Sequence, residues 1–378
     1  MSSAGEAERP CVVFTGGGTG GHVYPGIAVI EELRKRLDCR VVWIGSGKEV
    51  ERKAVEDAGV EFFSVPSGKL RRELTLKNLA DAFRVAAGFL ASRKLLKELK
   101  PAYLFSKGGY VSVAPCLAAA SLGIPYCTHE SDVSPGLATR INARKASAIL
   151  LSWEASLAFL GEKRRARARV FGNPVRASIR QGDAARGRAW LGFTEKLPVV
   201  LVLGGSQGAR QVNDLVASAL PALEGVVAVA HQAGPGNPPI RPADHGYKGF
   251  EFVHCELADL YAAADIVVGR AGAGTIGESS AAGKPMVLIP LAGYGSRGDQ
   301  VENARMLEQA GAARMLLGET ATPDTLARAL KDLASSEDAR KRMAEVARAI
   351  AKPDAASAIA EYLYRLVRPS DGTSGGTA

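Results

Sequence analysis

Six glycines and one histidine crowd the stretch FTGGGTGGHVYPG, residues 14–26, directly behind a short apolar run. Glycines at the end of a strand let the chain turn tightly and let a bulky ligand approach the main chain. A helix starting at Val23 or soon after would aim its unpaired N–H groups at that ligand, and phosphate is the natural guest. Gly16-x-Gly18-x-x-Gly21 satisfies the dinucleotide pattern, but the next strand, RVVWIGSG, ends without the acid that would bind a ribose. The P-loop is excluded as well, because His22 stands where its lysine would follow Gly21. His22 is itself a candidate proton-transfer group, since an ordinary imidazole titrates near neutral pH. Its alternative role is to fix the loop.

A second glycine loop, GGSQG at 204–208, also follows an apolar run, PVVLVL, and precedes a helical pattern. It fits G-x-S-x-G, so an α/β hydrolase with Ser206 as nucleophile is the rival reading. Such an enzyme needs a later acid and histidine, for which Asp214 with His231, His245 or His254 are the available choices. It would leave the first glycine loop, RAGAGTIGE and GDQVEN without a task.

The elements that must position these loops alternate strand and helical pattern along the whole chain, as parallel sheets with crossover helices require. CVVFT, RVVWIG, EFFSVP, AYLFS and IPYCTHE read as strands of a first half. PVVLVL, VVAVAHQAG, GFEFVHC, IVVG and PMVLIP read as strands of a second. The 378 residues suit two α/β domains, and 47% hydrophobic with 23% charged residues is ordinary for a soluble protein. Two doubly wound halves imply a cleft, with ligands beyond the carboxyl ends of the strands. The polar start MSSAGEAERP does not read as a signal peptide. Five scattered cysteines without a C-x-x-C pair speak for reduced thiols and against zinc.

Taken together, GGTGGHVYPG, KGGYVSVAP, HESDVSPGLATR, GNPVR, GGSQGAR, RAGAGTIGE and SRGDQVENA resemble, in order, the MurG family of bacterial peptidoglycan glycosyltransferases. The resemblance spans residues 11 to about 365 and implies a GT-B fold of two Rossmann-like domains. The expected units are 1–172 for acceptor and membrane, 173–352 for the UDP-sugar, 353–368 as a helix crossing back, and 369–378 as a disordered tail. The implied reaction is an inverting transfer of N-acetylglucosamine from UDP-N-acetylglucosamine to the 4-hydroxyl of the muramoyl sugar of lipid I, giving lipid II. That chemistry needs a base on the acceptor hydroxyl and stabilisation of the departing diphosphate. No Asp-x-Asp occurs, so neither metal nor cofactor is implied, and helix ends must serve the diphosphate. Ser206, Gln207 and Gly208 are expected to open one such helix and Thr275 another, with Gly18, Thr19 and Gly20 facing from the opposite domain. By resemblance Arg176 and Ser206 contact the donor, Glu278 holds the ribose diol, Gln300 the sugar, and His254 lies where uracil is read. His22 is the candidate base, Glu130 an alternative acid or base, and His129 a structural residue. Many relatives read His-Glu-Gln-Asn where this chain has His129-Glu130-Ser131-Asp132, and His-Gln or Gln-Gln at Asp299-Gln300, as in a second branch of the family. Asp132 then takes the sugar contacts usually assigned to the asparagine.

The net charge of +9 is clustered, with nine basic against three acidic residues over 68–100 and ten against two over 140–180. No zinc finger, RNA-recognition signature or aromatic-interleaved basic stripe points to nucleic acid. Leu76, Leu79, Phe83, Ala86, Ala87 and Leu90 recur at helical spacing, flanked by Lys69, Arg71, Arg72, Lys77 and Arg84. Such a helix can lie on an anionic bilayer or serve as core. With a lipid-linked acceptor, the expectation is peripheral attachment to the cytoplasmic face of the bacterial membrane. Other cell-wall synthesis proteins are further candidate partners.

Overall fold

The computed structural model describes residues 9–18, 20–68, 76–194, 196–205, 208–241, 243–244, 246–253, 255–293 and 297–368, with the backbone alone at Gly20 and 76–80. Strands β1 (Cys11–Thr15), β2 (Arg40–Gly45), β3 (Glu61–Ser64), β4 (Tyr103–Ser106), β5 (Tyr126–Glu130), β6 (Ala148–Leu151) and β7 (Ala168–Val170) form one parallel sheet. Their order is β3-β2-β1-β4-β5-β6-β7. Strands β8 (Val199–Leu203), β9 (Ala228–Gln232), β10 (Tyr247–Phe250), β11 (Ile266–Gly269), β12 (Met286–Leu288) and β13 (Ala313–Met315) form the other, ordered β10-β9-β8-β11-β12-β13. Central strands such as Val199–Leu203 and Ile266–Gly269 are buried throughout, which is why they read as continuous apolar runs without alternation. Both orders reverse direction once, between β1 and β4 and between β8 and β11. Diverging crossovers open a crevice at such a point.

Three local expectations need correction. The first helix spans Gly20–Arg34 and so begins before Val23. Pro25 is its sixth residue, so the Gly21 carbonyl four residues back loses its helical partner. The helix after β8 opens at Arg210, not at 206–208. Gly208 has φ +76°, a left-handed conformation that cannot belong to the helix, and Ala209 before Arg210 is extended. The strand expected in GFEFVHC is Tyr247–Phe250, because the ladder ends where β9 does, with Gln232 opposite Phe250.

The helix Ala355–Val367 lays Ile359, Ala360 and Leu363 against Val23, Ile27 and Ile30 of the first helix, inside the core of the first sheet. Burying each such aliphatic side chain contributes about 1.5–3 kcal/mol. The last helix is thus part of the first sheet's packing.

The helix Leu76–Leu99 turns its apolar stripe outward: Phe83 is 69% and Leu90 65% exposed, and Ala86 and Ala87 are exposed too. Its inward face is Asp81, Gly88, Ser92 and Leu96. Gly88 lets the helix close on the preceding loop, since a Cβ there would lie 2.0 Å from the Pro66 carbonyl oxygen. Among the described residues no helix is long and apolar enough to cross a membrane. All five cysteines are free thiols.

Candidate active site

The crevice is walled on one side by the loops after β1 and β4. The Lys107 N–H donates to the Thr15 carbonyl at 2.7 Å and ties the two together. Gly18, at φ +92°, lies where a Cβ would stand 2.5 Å from the Tyr110 ring. At Gly109, φ +77°, a Cβ would come within 2.7 Å of the Gly17 carbonyl oxygen and 3.3 Å of His22 Cδ2. Glycine is therefore what lets these loops close on each other and on the His22 ring. His22 lies in the first turn of its helix, half-buried. Burial, then the charges of Lys107 and Arg297, push its imidazole down to about 3, so it stands uncharged and able to accept a proton.

At the end of β5 the carboxylate of Glu130 is occupied by backbone. Its Oε1 accepts the N–H groups of Ser131 and Asp132 at 2.9 and 3.1 Å, and its Oε2 that of Gly136 at 2.9 Å. That geometry makes Glu130 an organiser of the loop 131–136. His129 is fully buried, and its Nε2 donates to the Gly172 carbonyl at 3.0 Å, joining β5 to the segment that leads to the second sheet.

Asp132 meets the helix Asp299–Ala310 and the residues before it directly. Its Oδ1 accepts from Asn303 Nδ2 at 3.0 Å and its Oδ2 lies 3.5 Å from Arg297 Nη2. Arg297 also pairs with Asp299, which opens the helix Asp299–Ala310. Burial, with Glu130 and Asp299 nearby, raises the Asp132 carboxyl to about 7 against the pull of Asn303 and Arg297. Gln300 Oε1 accepts the Leu291 N–H at 2.9 Å, which anchors that side chain to the loop after β12.

The facing wall carries the helix Ala273–Ala281, with Thr275 in its first turn and Glu278 in its second. Arg176 Nη2 lies 4.0 Å from Glu278 Oε1, while its guanidinium carbon sits 5.1 Å from the ring centroid of Tyr24 on the first helix. Tyr261 donates to Glu278 Oε2 at 3.4 Å. Burial raises the Glu278 carboxyl, and Arg176 and Tyr261 oppose it.

Across the crevice Asp132 thus meets Asn303 and Arg297, and Tyr24, two residues after His22, meets Arg176. Gly208 precedes its helix instead of opening it. Thr19, Ser206, Gln207 and His254, with Lys69, Arg71, Arg72 and the tail 369–378, lie outside the described residues. Of the partners a Ser206 hydrolase could use, His231 is buried and bonded to Asn213 Oδ1 at 3.0 Å and the Tyr247 hydroxyl at 3.3 Å. Asp214 lies 3.7 Å from Arg210. Sequence reasoning missed Tyr24, Lys107, Asn173, Arg297 and Asn303. All five stand within the quoted motifs, but their partners come from distant segments, and no spacing rule reveals those.

Comparison with known proteins agrees with this architecture. Residues 12–151 match the glycosyltransferase family 28 N-terminal domain, and residues 199–359 match the family 28 C-terminal domain. A UDP-N-acetylglucosamine--N-acetylmuramyl-(pentapeptide) pyrophosphoryl-undecaprenol N-acetylglucosamine transferase of Treponema denticola is 46% identical, over 93% of this chain and 97% of its own length. The protein of the same name from Treponema pallidum is 43% identical, over 96% of this chain and 97% of its own. A crystal structure of Acinetobacter baumannii MurG superposes with a TM-score of 0.72 at 24% identity, covering 94% of this chain and 99% of that one. At that identity the likeness speaks to the two-domain GT-B fold alone. The chain belongs to glycosyltransferase family 28, as a member of its MurG family of N-acetylglucosamine transferases.

Proposed function

We infer that this enzyme transfers N-acetylglucosamine from UDP-N-acetylglucosamine to lipid I, N-acetylmuramyl-(pentapeptide)-pyrophosphoryl-undecaprenol, forming lipid II of peptidoglycan. The observation that carries the reading is near full-length identity of 46% to a transferase of that name. The crevice supports it, with an uncharged histidine on one wall and a half-buried carboxylate and arginine on the other.

In the transfer, the 4-hydroxyl of the muramoyl sugar attacks C1 of N-acetylglucosamine from the face opposite the diphosphate. The new C1–O bond forms as the bond to UDP breaks, the hydroxyl proton passes to His22, and UDP leaves with the electron pair. An imidazole at about 3 is by itself a feeble base. The diphosphates of both substrates bring negative charge beside it, and anions raise the affinity of an imidazole for its proton. Base strength thereby arrives with the substrates. Glu278 takes the ribose diol, Arg176 the diphosphate, and Asp132 with Gln300 the sugar hydroxyls. The family resemblance adds Thr19, Ser206, Gln207 and His254 to the donor contacts. The outward stripe of Phe83, Ala86, Ala87 and Leu90 beside basic residues supports peripheral attachment to an anionic membrane, where the lipid-linked acceptor resides.

UDP release that requires both UDP-N-acetylglucosamine and a lipid I analogue tests the reading. A protein that releases no UDP under those conditions, but cleaves an acyl ester lost in Ser206→Ala, would be the hydrolase instead.

A further inference from the structure

Lys107 closes β4 in the KGGY loop and is 1% exposed, a cation sealed beneath the cleft. Its amine donates to Ser131 Oγ. Ser131 Oγ donates onward to Asn173 Oδ1 at 3.2 Å, and Asn173 Nδ2 reaches the Ala273 carbonyl at 3.0 Å, at the start of the helix that carries Glu278. A buried ammonium with one hydroxyl for company is costly unless opposite charge faces it. The charges it faces are Glu130 and Asp132 of the next loop, with Asp299 and Arg297 beyond Asp132. His22 and His129 lie on its other sides, both uncharged. Arg297, the other cation here, has its side chain 54% exposed and is screened by water. Burial lowers the Lys107 ammonium to about 8, with Glu130 and Asp132 opposing, so it keeps its charge at neutral pH.

We propose that Lys107 is a positioning residue for the transfer, the buried counter-charge that holds the Glu130–Asp132 loop at the sugar-binding end of the cleft. The proposal rests on the transferase reading above. The ammonium stabilises the ionised Asp132 carboxylate that accepts sugar hydroxyls, and it disfavours a proton on His22. Removing it raises the proton affinity of both groups, so both effects act in the same direction.

The test uses Lys107→Met, Asp132→Asn and the double variant of the two, comparing UDP release across pH and thermal unfolding with the parent. Lys107→Met should move the acid limb of turnover to higher pH by about one unit, a loss of about tenfold on that limb, with the alkaline plateau within about threefold of the parent. Above pH 7, Asp132→Asn should raise the melting temperature more in the Lys107→Met background, where the carboxylate has lost its cation, than in the parent. A limb that stays in place while turnover falls equally at every pH would make Lys107 a packing residue and overturn the proposal. So would equal gains from Asp132→Asn in the two backgrounds, or failure of both Lys107 variants to fold. If the parent releases no UDP, the transferase reading fails, while the stability comparison still decides whether Lys107 is the counter-charge.

Discussion

Asn303 Nδ2 donates to Asp132 Oδ1 at 3.0 Å while Asn303 Oδ1 accepts the Val133 N–H at 2.9 Å, so one amide holds the loop after β5 against the helix Asp299–Ala310. Only a side chain that donates and accepts at once can do this, and Asn303 is fully buried. Asn303→Leu keeps the branched shape but strands the Asp132 carboxylate, the Val133 N–H and the Ala271 carbonyl, at about 1–3 kcal/mol for each buried group left unpaired. Thermal unfolding should report that loss. Turnover and KM for the donor should change together, because the contact spans the two walls of the cleft. Unaltered melting and kinetics would show that the cleft closes without it.

Asp132 links pH to both stability and activity. Burial raises its carboxyl from an ordinary 3.8 to about 7, so between those values the folded protein holds a proton the unfolded chain has released. The stabilisation is complete below about 4 and is lost as pH rises through about 7. Asp132→Asn should accordingly raise the melting temperature relative to the parent above pH 7, by less at pH 5. If ionised Asp132 binds the sugar, donor affinity in the parent should rise with pH through about 7, and the Asn variant should lose that rise. A parent whose affinity is flat through that range would remove Asp132 from the sugar site.

Glu278→Gln preserves shape and one acceptor, and should weaken UDP binding by about 1–3 kcal/mol, the range for hydrogen bonds to a charged group. Titration calorimetry with UDP and its 2′-deoxy analogue discriminates the roles. The parent should prefer the ribonucleotide, and the variant should not. An equal preference in both would leave Glu278 as a helix residue that pairs with Arg176.

His22→Ala should lower turnover by roughly 10²-fold or more with donor affinity little changed, as removal of a base does. By NMR the imidazole of the free protein should stay uncharged until pH falls towards about 3. Titration at a higher pH after UDP is added would support substrate-supplied base strength. A variant with near-normal turnover would demote His22 to a loop residue.

Replacing Phe83 and Leu90 by Ser should reduce flotation with anionic liposomes without lowering the melting temperature, since both side chains already face solvent. Binding by the parent should weaken at high ionic strength, where charges are screened within about 3 Å at 1 M salt. Equal binding to neutral and anionic vesicles at all salt levels would exclude the electrostatic part.

Sequence alone determined the features that depend on neighbours along the chain. Buried β-branched runs such as VVLVL announced parallel strands, and glycine loops after them announced a site at the strand ends. Seven motifs in order carried the family and, through it, the substrates. Element edges were less legible: a left-handed glycine at 208 delayed one helix, and the end of β9 shortened the strand beside it.

What only the tertiary structure decided is who shares a pocket, because burial and charge are set by residues far apart in sequence. That the Glu130 carboxylate accepts three backbone N–H groups, and so shapes the loop after β5, is visible only in the fold. The stripe at Phe83 and Leu90 fitted core and surface equally by spacing, and only packing turned it outward. Lys107 and Asn303 were letters in known motifs, given roles by contacts across 24 and 171 residues of chain. Desolvation and neighbouring like charge shift Asp132 and His22 from their ordinary behaviour, and both are properties of an assembled interior that no local pattern encodes.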